Sequence, residues 1–357
     1  MTAKVLLVGD SSSRHLERLA SGLAERGIAA SVAAFEPREL ALPVELVGRL
    51  PADADRRYAL AVLPLVRLIR RVRPTVVHAH YLSSYGVLAA AATRLLGILQ
   101  ARSHALVQSV WGSDVLVTPH QSGRRARLAR FALEAADMVT GDSDELREAS
   151  QALARKELSW HEFIFGPPAE LFGTVRSSTG MSVVSPRSLL DAMRIEIVIE
   201  AFLAARKTPH LANATLDIFG DGDAGERLRM MYGSTPGVRF RGAVTTQELH
   251  DAFGTSRAFV SIPVSDGTSA SVLEGMALGC IPIVNALPAN LQWVDGTTGI
   301  IVGRDPSVPE LAEALVRALS TSYDVGAMRA AVRRARWEDQ VDRLVSMYDV
   351  LSARRSG

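Results

Sequence analysis

The chain has 357 residues, 48% of them hydrophobic and 22% charged, with 40 Lys and Arg against 38 Asp and Glu. At roughly 150 residues per domain this length predicts two domains, each able to bury a core, which excludes a disordered chain and a disulfide-held miniature. A net charge of +2 excludes a global field for nucleic acid, and the single cysteine, Cys280, excludes an internal disulfide and points to a reducing compartment.

The apolar run 5–8 ahead of Gly9 is too short for a signal-peptide core and reads as a first buried strand. No segment reaches the ~18 uninterrupted apolar residues of a spanning helix. The expected setting is the cytoplasm, with attachment at most to the inner face of a membrane. A helix over 15–26 and a strand over 30–34 follow, then a proline-broken stretch. A helical stripe over 60–72 leads into a strand ending at His80, and 105–110, 138–141 and 163–165 are further strands. Around 166–182 breakers and small polar residues without periodicity, including Gly166-Pro167-Pro168 and Ser177-Ser178-Thr179-Gly180, predict a linker.

A second series then begins: strands at 181–184, 214–219, 238–241, 258–262, 281–285 and 299–302, and helices at 191–205, 225–232, 246–253, 270–278 and 309–319. An amphipathic helix over 337–351 closes the chain. Continuous rather than alternating apolar runs suit strands covered on both faces, hence parallel sheets flanked by helices. The expected fold class is α/β, with two doubly wound, Rossmann-like domains. Ligands in such sheets sit beyond the carboxyl ends of the strands, so a cleft between two facing domains is the expected site.

The stretch from Pro263 to Gly279 carries the most chemistry. A strand ends near Ile262, then Gly267, Thr268, Ser269 and Ser271 surround the start of a helix at Ala270. The first-turn amides of a helix have no intrahelical acceptor and lie at its positive end, so a phosphate can be held there by backbone alone. Glu274, one turn deeper, suits a vicinal diol such as ribose, because its two oxygens accept from both hydroxyls. Asp266 lies on the far side of such a phosphate. On spacing alone, a capped helix with two solvated acids explains the same residues equally well.

At these residues the sequence resembles the retaining glycosyltransferases of family 4, which have the GT-B fold. Their signature of Glu, seven residues, Glu, then Ala-Met-Ala-x-Gly stands here as Asp266-x7-Glu274 followed by Gly275-Met276-Ala277-Leu278-Gly279. Leu216 to Gly222, Val238 to Gly242, Val77-His78-Ala79-His80 and Trp111-Gly112-Ser113-Asp114 match further motifs in order, so the resemblance covers most of the chain. It implies an acceptor-binding domain over 1–165, the linker 166–182, a nucleotide-sugar-binding domain over 183–336, and a helix over 337–357 that crosses back to the first domain.

It also implies roles. Glu274 binds ribose, Asp266 contacts the donor sugar, and the amides of Gly267, Thr268, Ser269, Ala270 and Ser271 hold sugar and diphosphate. Gly220 lies in a donor-side loop, and Arg239 and Phe240 lie beside the base. Arg187 clamps the diphosphate, with Arg194 a second cation where relatives carry a Lys at the place of Ala192. Losing that Lys weakens leaving-group stabilisation. Trp111 stands where many relatives have a His that reaches the donor sugar. Gly9, Ser13, His15, His80, Tyr81 and Asp114 fall on the acceptor side. Asp142-Ser143-Asp144 and Asp221-Gly222-Asp223 look like metal-binding Asp-x-Asp motifs but are too short to be specific, and no required metal or other cofactor is expected. Two basic clusters, Arg67, Arg70, Arg71, Arg73 and Arg124, Arg125, Arg127, Arg130, suit either a solvated helix face or an anionic acceptor or membrane surface.

The reading is a glycosyltransferase moving a sugar from a nucleotide donor, UDP by family frequency, to a hydroxyl acceptor on a glycan, a lipid-linked or a small molecule. The alternatives are a nucleotide-sugar 2-epimerase on the same scaffold, or a GT-B subunit that binds without turnover.

Overall fold

The computed structural model describes residues 3–48, 58–174 and 180–356. Ser177, Ser178 and Thr179 of the expected linker lie outside the described residues. The chain divides into two compact units, one of Met1–Ile164 with Glu338–Gly357, the other of Phe165–Trp337.

The first unit is a seven-stranded parallel sheet, ordered β3-β2-β1-β4-β5-β6-β7. Its strands are β1 (Lys4–Val8), β2 (Ala29–Ala34), β3 (Val44–Leu46), β4 (Val76–His80), β5 (Ala105–Ser109), β6 (Met138–Gly141) and β7 (Trp160–Glu162). Helices α1 (Arg14–Glu25), α2 (Val62–Val72), α3 (Val87–Ile98), the one-turn α4 (Ser113–Leu116), α5 (Gly123–Ala135) and α6 (Asp144–Leu153) connect them. Central β4 and β5 are buried along their whole length, including the polar His78, His80, Gln108 and Ser109 toward their carboxyl ends.

The second unit is a six-stranded parallel sheet, ordered β10-β9-β8-β11-β12-β13. It is built from β8 (Ser182–Ser185), β9 (Thr215–Phe219), β10 (Val238–Gly242), β11 (Ala258–Ser261), β12 (Ile281–Asn285) and β13 (Ile300–Val302). Its helices are α7 (Ile195–Ala205), α8 (Gly225–Tyr232), α9 (Thr246–Thr255), α10 (Ala270–Ala277), the one-turn α11 (Pro288–Leu291), α12 (Val308–Ser320) and α13 (Val325–Val332). The expected α/β class, two Rossmann-like parallel-sheet domains, is what the chain forms.

The last helix, α14 (Trp337–Ser356), belongs to the first unit from Glu338 onward. Asp349 accepts from the Ala3 amide, Ser352 meets Thr75, Arg355 pairs with Asp137, and Tyr348 reaches His78 at 2.5 Å. Residues 166–174 are packed into the second unit. Arg329 donates to the Thr174 carbonyl at 2.5 Å, and a Cβ on Gly166 would fall 1.6 Å from the Ala335 carbonyl oxygen, so only glycine fits that crossing.

Two local expectations are corrected. Residues 163–165 are not a strand; the strand is the half-polar Trp160–Glu162, which pairs with β6 and, among the described residues, ends the sheet, while the apolar triplet is buried where the chain leaves it. The helix expected over 191–205 is broken by Arg194, whose φ of 55° is left-handed, so a 3-10 turn at Asp191–Met193 precedes α7. Among the described residues, no helix is long and apolar enough to cross a membrane.

Candidate functional site

Strand order reverses between β1 and β4 in the first sheet and between β8 and β11 in the second, the point at which open α/β sheets receive ligands. Each unit gathers candidate residues at the carboxyl ends of those strands.

In the second unit, the loop after β8 carries Arg187 and the loop after β11 carries Asp266 to Ser269. They meet. Arg187 donates through Nη2 to Asp266 Oδ2 and through Nη1 to Ser269 Oγ, both at 2.6 Å, and its guanidinium also touches Met193 Sδ at 3.4 Å. Ser269 is the N-cap residue of α10 but makes no side-chain cap; its hydroxyl goes to Arg187 and, at 3.0 Å, to Ser271. The arginine therefore lies at the positive end of a helix, which concentrates positive potential where Gly267, Thr268, Ala270 and Ser271 present their backbone. Gly220, at φ 100°, lets the end of β9 approach the Arg187 carbonyl, where a Cβ would stand at 3.0 Å. That close approach supports the Arg187 loop from behind.

Glu274 lies one turn into α10, 6% exposed, with its Oε2 3.2 Å from Nε2 of His250 on α9. Gly275 beside it lets α10 lie against the sheet: a Cβ there would meet the Phe259 ring at 2.6 Å. Thr268 accepts from Trp293 Nε1 at 3.3 Å. Trp293 is buried under the Arg334 guanidinium, 4.0 Å above its ring.

Other donor-side candidates are placed elsewhere. Arg194 donates to the Arg304 carbonyl and pairs with Asp305, so its guanidinium is held by the segment after β13. Arg239 and Arg241 on edge strand β10 both pair with Asp217 at 2.6 Å, while Phe240 packs against the core of the second unit. Asp221 pairs with exposed Arg229, and Ser143 caps α6 through the Leu146 amide. Among the described residues no three His, Cys, Asp or Glu side chains converge on a metal position.

In the first unit the cluster is aromatic. His80 closes β4 beside Gly9, where a Cβ would stand 3.4 Å from the His80 Cβ. His15, in the first turn of α1 behind the N-cap Ser13, lies 4.7 Å from the Trp111 ring. Trp111 also faces His80 at 5.6 Å and stacks on exposed Tyr81 with a 10° interplanar angle. Asp114 is fully buried; its carboxylate accepts from the amides of Leu82, Trp111 and Gly112 at 2.9 to 3.1 Å. It ties the loops after β4 and β5 together, and burial, the largest influence, raises its pKa against those amides.

His80 is 4% exposed and, among the described residues, neither ring nitrogen has a hydrogen-bond partner; burial first, then His15, lowers its pKa to about 3. At neutral pH it is an uncharged imidazole with one donor and one acceptor to offer. His78, 4.3 Å away, has its ring nitrogens near Tyr348 and Ser109.

Residues 4–143 match the family described as Glycosyl transferase 4-like, and residues 184–321 match Glycosyl transferases group 1. The chain is a glycosyltransferase whose second unit carries the group 1 domain. Solved structures similar to the transferase include HepE of Anabaena in complex with UDP and glucose, at 17% identity, TM-score 0.77, and coverage of 97% of this chain and 98% of that one. A sucrose-phosphate synthase from Thermosynechococcus elongatus matches at 16% identity, TM-score 0.75, covering 98% and 99%. A glycosyltransferase from Rickettsia africae matches at 12% identity, TM-score 0.75, covering 98% of each. At these identities the structures establish the GT-B fold. No curated protein matches by sequence.

Sequence reasoning missed His250 and Trp293. His250 stands three residues before Phe253, and both are buried on one face of α9. That i, i+3 spacing was the available signal. Nothing local marks Trp293, which joins Thr268 only through the tertiary fold.

Proposed function

We propose that this transferase moves a sugar from a UDP-linked donor to a hydroxyl acceptor with retention at the anomeric carbon, as a family 4 enzyme, without a required metal or other cofactor. The observation that carries the reading is the meeting of Arg187, Asp266 and Ser269 at the start of α10, with Glu274 one turn deeper. The α10 amides and Arg187 bind the diphosphate, Glu274 binds the ribose, and Asp266 contacts the transferred sugar. The HepE structures with UDP, and with UDP and glucose, favour UDP as the carrier.

The bond from the anomeric carbon to the diphosphate oxygen breaks and the bond to the acceptor oxygen forms. The departing diphosphate oxygen takes the acceptor proton, so no protein nucleophile is needed. Positive potential at α10 and Arg187 stabilises the charge that develops on the leaving group. The first unit binds the acceptor, a glycan, a lipid-linked or a small molecule, with neutral His80 meeting a hydroxyl and Trp111 and Tyr81 meeting a ring face. A nucleotide-sugar donor and a single cysteine fit a cytoplasmic enzyme, at most docked on the inner membrane face.

The test measures UDP release from several UDP-sugars with and without a panel of acceptors. Acceptor-dependent release is expected; epimer formation, or tight UDP binding without turnover, overturns the reading. In addition Glu274→Ala weakens UDP binding by about 1.5–3 kcal/mol, the worth of a hydrogen bond to a charged group, measured by calorimetry.

A further inference from the structure

We propose that His250 is a positioning residue for the nucleotide's pentose: it fixes the plane of the Glu274 carboxylate on which the ribose hydroxyls are read. The inference rests on the nucleotide reading above and carries it to a second helix.

His250 Nε2 lies 3.2 Å from Glu274 Oε2, and the two side chains are only 9% and 8% exposed. A carboxylate only accepts, so the imidazole facing it carries its hydrogen on Nε2. That nitrogen is buried, and its approach to the carboxylate lacks the alignment of a full hydrogen bond. Such a donor gains when the carboxylate plane is held in one orientation. The coupling is reciprocal: His250 favours the carboxylate plane in which its own bond is made, and that is the plane a vicinal diol held by both oxygens requires.

The spacing of the pair is built in. Phe253, one turn beyond His250 on α9, packs edge-on against Phe259 of β11, with centroids 5.3 Å apart. Phe259 in turn fills the space that Gly275 leaves beside Glu274. Phe253, Phe259 and Gly275 thus lock α9, β11 and α10 together, and the lock sets the distance at which His250 meets Glu274. Leucine at 250 keeps the packing and removes the donor; glutamine restores a donor near the Nε2 position, and asparagine places its amide nearer Nδ1.

The experiment measures the affinities of UDP and 2′-deoxy-UDP, with a thermal melt, for the wild type, Glu274→Gln, His250→Leu, His250→Gln and His250→Asn. The wild type is expected to prefer UDP about tenfold, the size of one lost hydrogen bond. Glu274→Gln brings the ratio to about one. His250→Leu and His250→Asn lower it about threefold or more, and His250→Gln keeps it. A folded His250→Leu or His250→Asn with the wild-type ratio, alongside a collapsed ratio in Glu274→Gln, overturns the role of His250 and leaves the nucleotide reading standing. A ratio that Glu274→Gln leaves untouched overturns the nucleotide reading itself. If His250→Leu does not fold, His250→Asn against His250→Gln decides alone.

Discussion

The two units place their candidate sites at the same spot of the same kind of sheet, yet fill them with opposite chemistry. At the β8/β11 reversal, burial is met by charge pairing: Arg187, whose side chain is 13% exposed, is held by Asp266 and Ser269 at a helix start. At the β1/β4 reversal, burial removes charge: His78 and His80 are pushed well below the ordinary histidine pKa by desolvation. On the function proposed above, the first of these edges takes the anion and the second takes uncharged hydroxyls and ring faces. The strand order fixes where a ligand goes; the residues of the loops and helix starts that follow the strand ends fix which ligand.

The largest effect expected from this contrast comes from Arg187→Ala. Removing the guanidinium proposed to bind the diphosphate, and leaving Asp266 without its partner, is expected to lower UDP affinity about 10²-fold or more, near 3 kcal/mol. Arg187→Lys recovers only a minor part, since an ammonium on a flexible stem cannot hold Ser269 and Asp266 in one fork. Calorimetric titration with UDP reads both. Unchanged affinity in a folded Arg187→Ala protein would remove the anion from the second unit and the contrast with it.

Much of this arrangement was legible in the residues, and the exceptions have physical causes. Strands β5, β11 and β12 stood out because each opens on a continuous apolar run, as strands covered on both faces do. Helix α3 did not, because Val87–Ile98 is apolar nearly all round and carries little period to read. Residues 163–165 misled because an apolar triplet signals burial, and burial was supplied by the exit from the sheet rather than by strand pairing. The loop from Pro263 to Gly279 was legible as a unit because its signals are local: a strand end, small residues and a helix start. That Arg187 meets Asp266 and Ser269, and His250 meets Glu274, depends on neighbouring strands and helices, which sequence spacing does not reveal. Arg194 shows the limit from the other side. Its left-handed backbone starts α7, and its guanidinium goes to Arg304 and Asp305.

The discharged histidines make the second prediction. The unfolded chain takes up a proton on each histidine near pH 6.5, whereas folded His80 resists until about 3 and folded His104 until about 4, in both cases chiefly through burial. Between those values the unfolded state binds more protons, so stability rises with pH and is lost as pH falls from 6.5. Each such histidine contributes up to about 1.4 kcal/mol per pH unit in that window. Asp114 works the other way: burial raises its folded pKa above the unfolded value, so the folded state takes up that proton first and gains stability as pH falls through its titration. Urea unfolding at pH 7, 6 and 5 is expected to show the loss, and His80→Gln to reduce its slope by about one proton's worth. A histidine resonance of His80 titrating near 6.5 in the folded protein would show that burial does not discharge this edge.

The smallest effect sharpens the aromatic side alone. Tyr81 sits at φ 73°, ψ 101°, a backbone state that L residues rarely adopt. It is held there by its own carbonyl, which accepts from the Gly86 amide at 2.9 Å, and by Asp114, which takes the next amide, that of Leu82. The result is an exposed ring stacked on Trp111. Strain of this kind costs about 1–3 kcal/mol and survives where the surroundings impose it. Comparing Tyr81→Gly with Tyr81→Ala isolates the strain, because both lose the ring and only alanine keeps the Cβ. Glycine is expected to be more stable by about 1 kcal/mol, read from urea midpoints at equal slope. If alanine is equally stable, the backbone at Tyr81 is relaxed, and the stacked ring follows from packing against Trp111 without the loop clamp of Asp114.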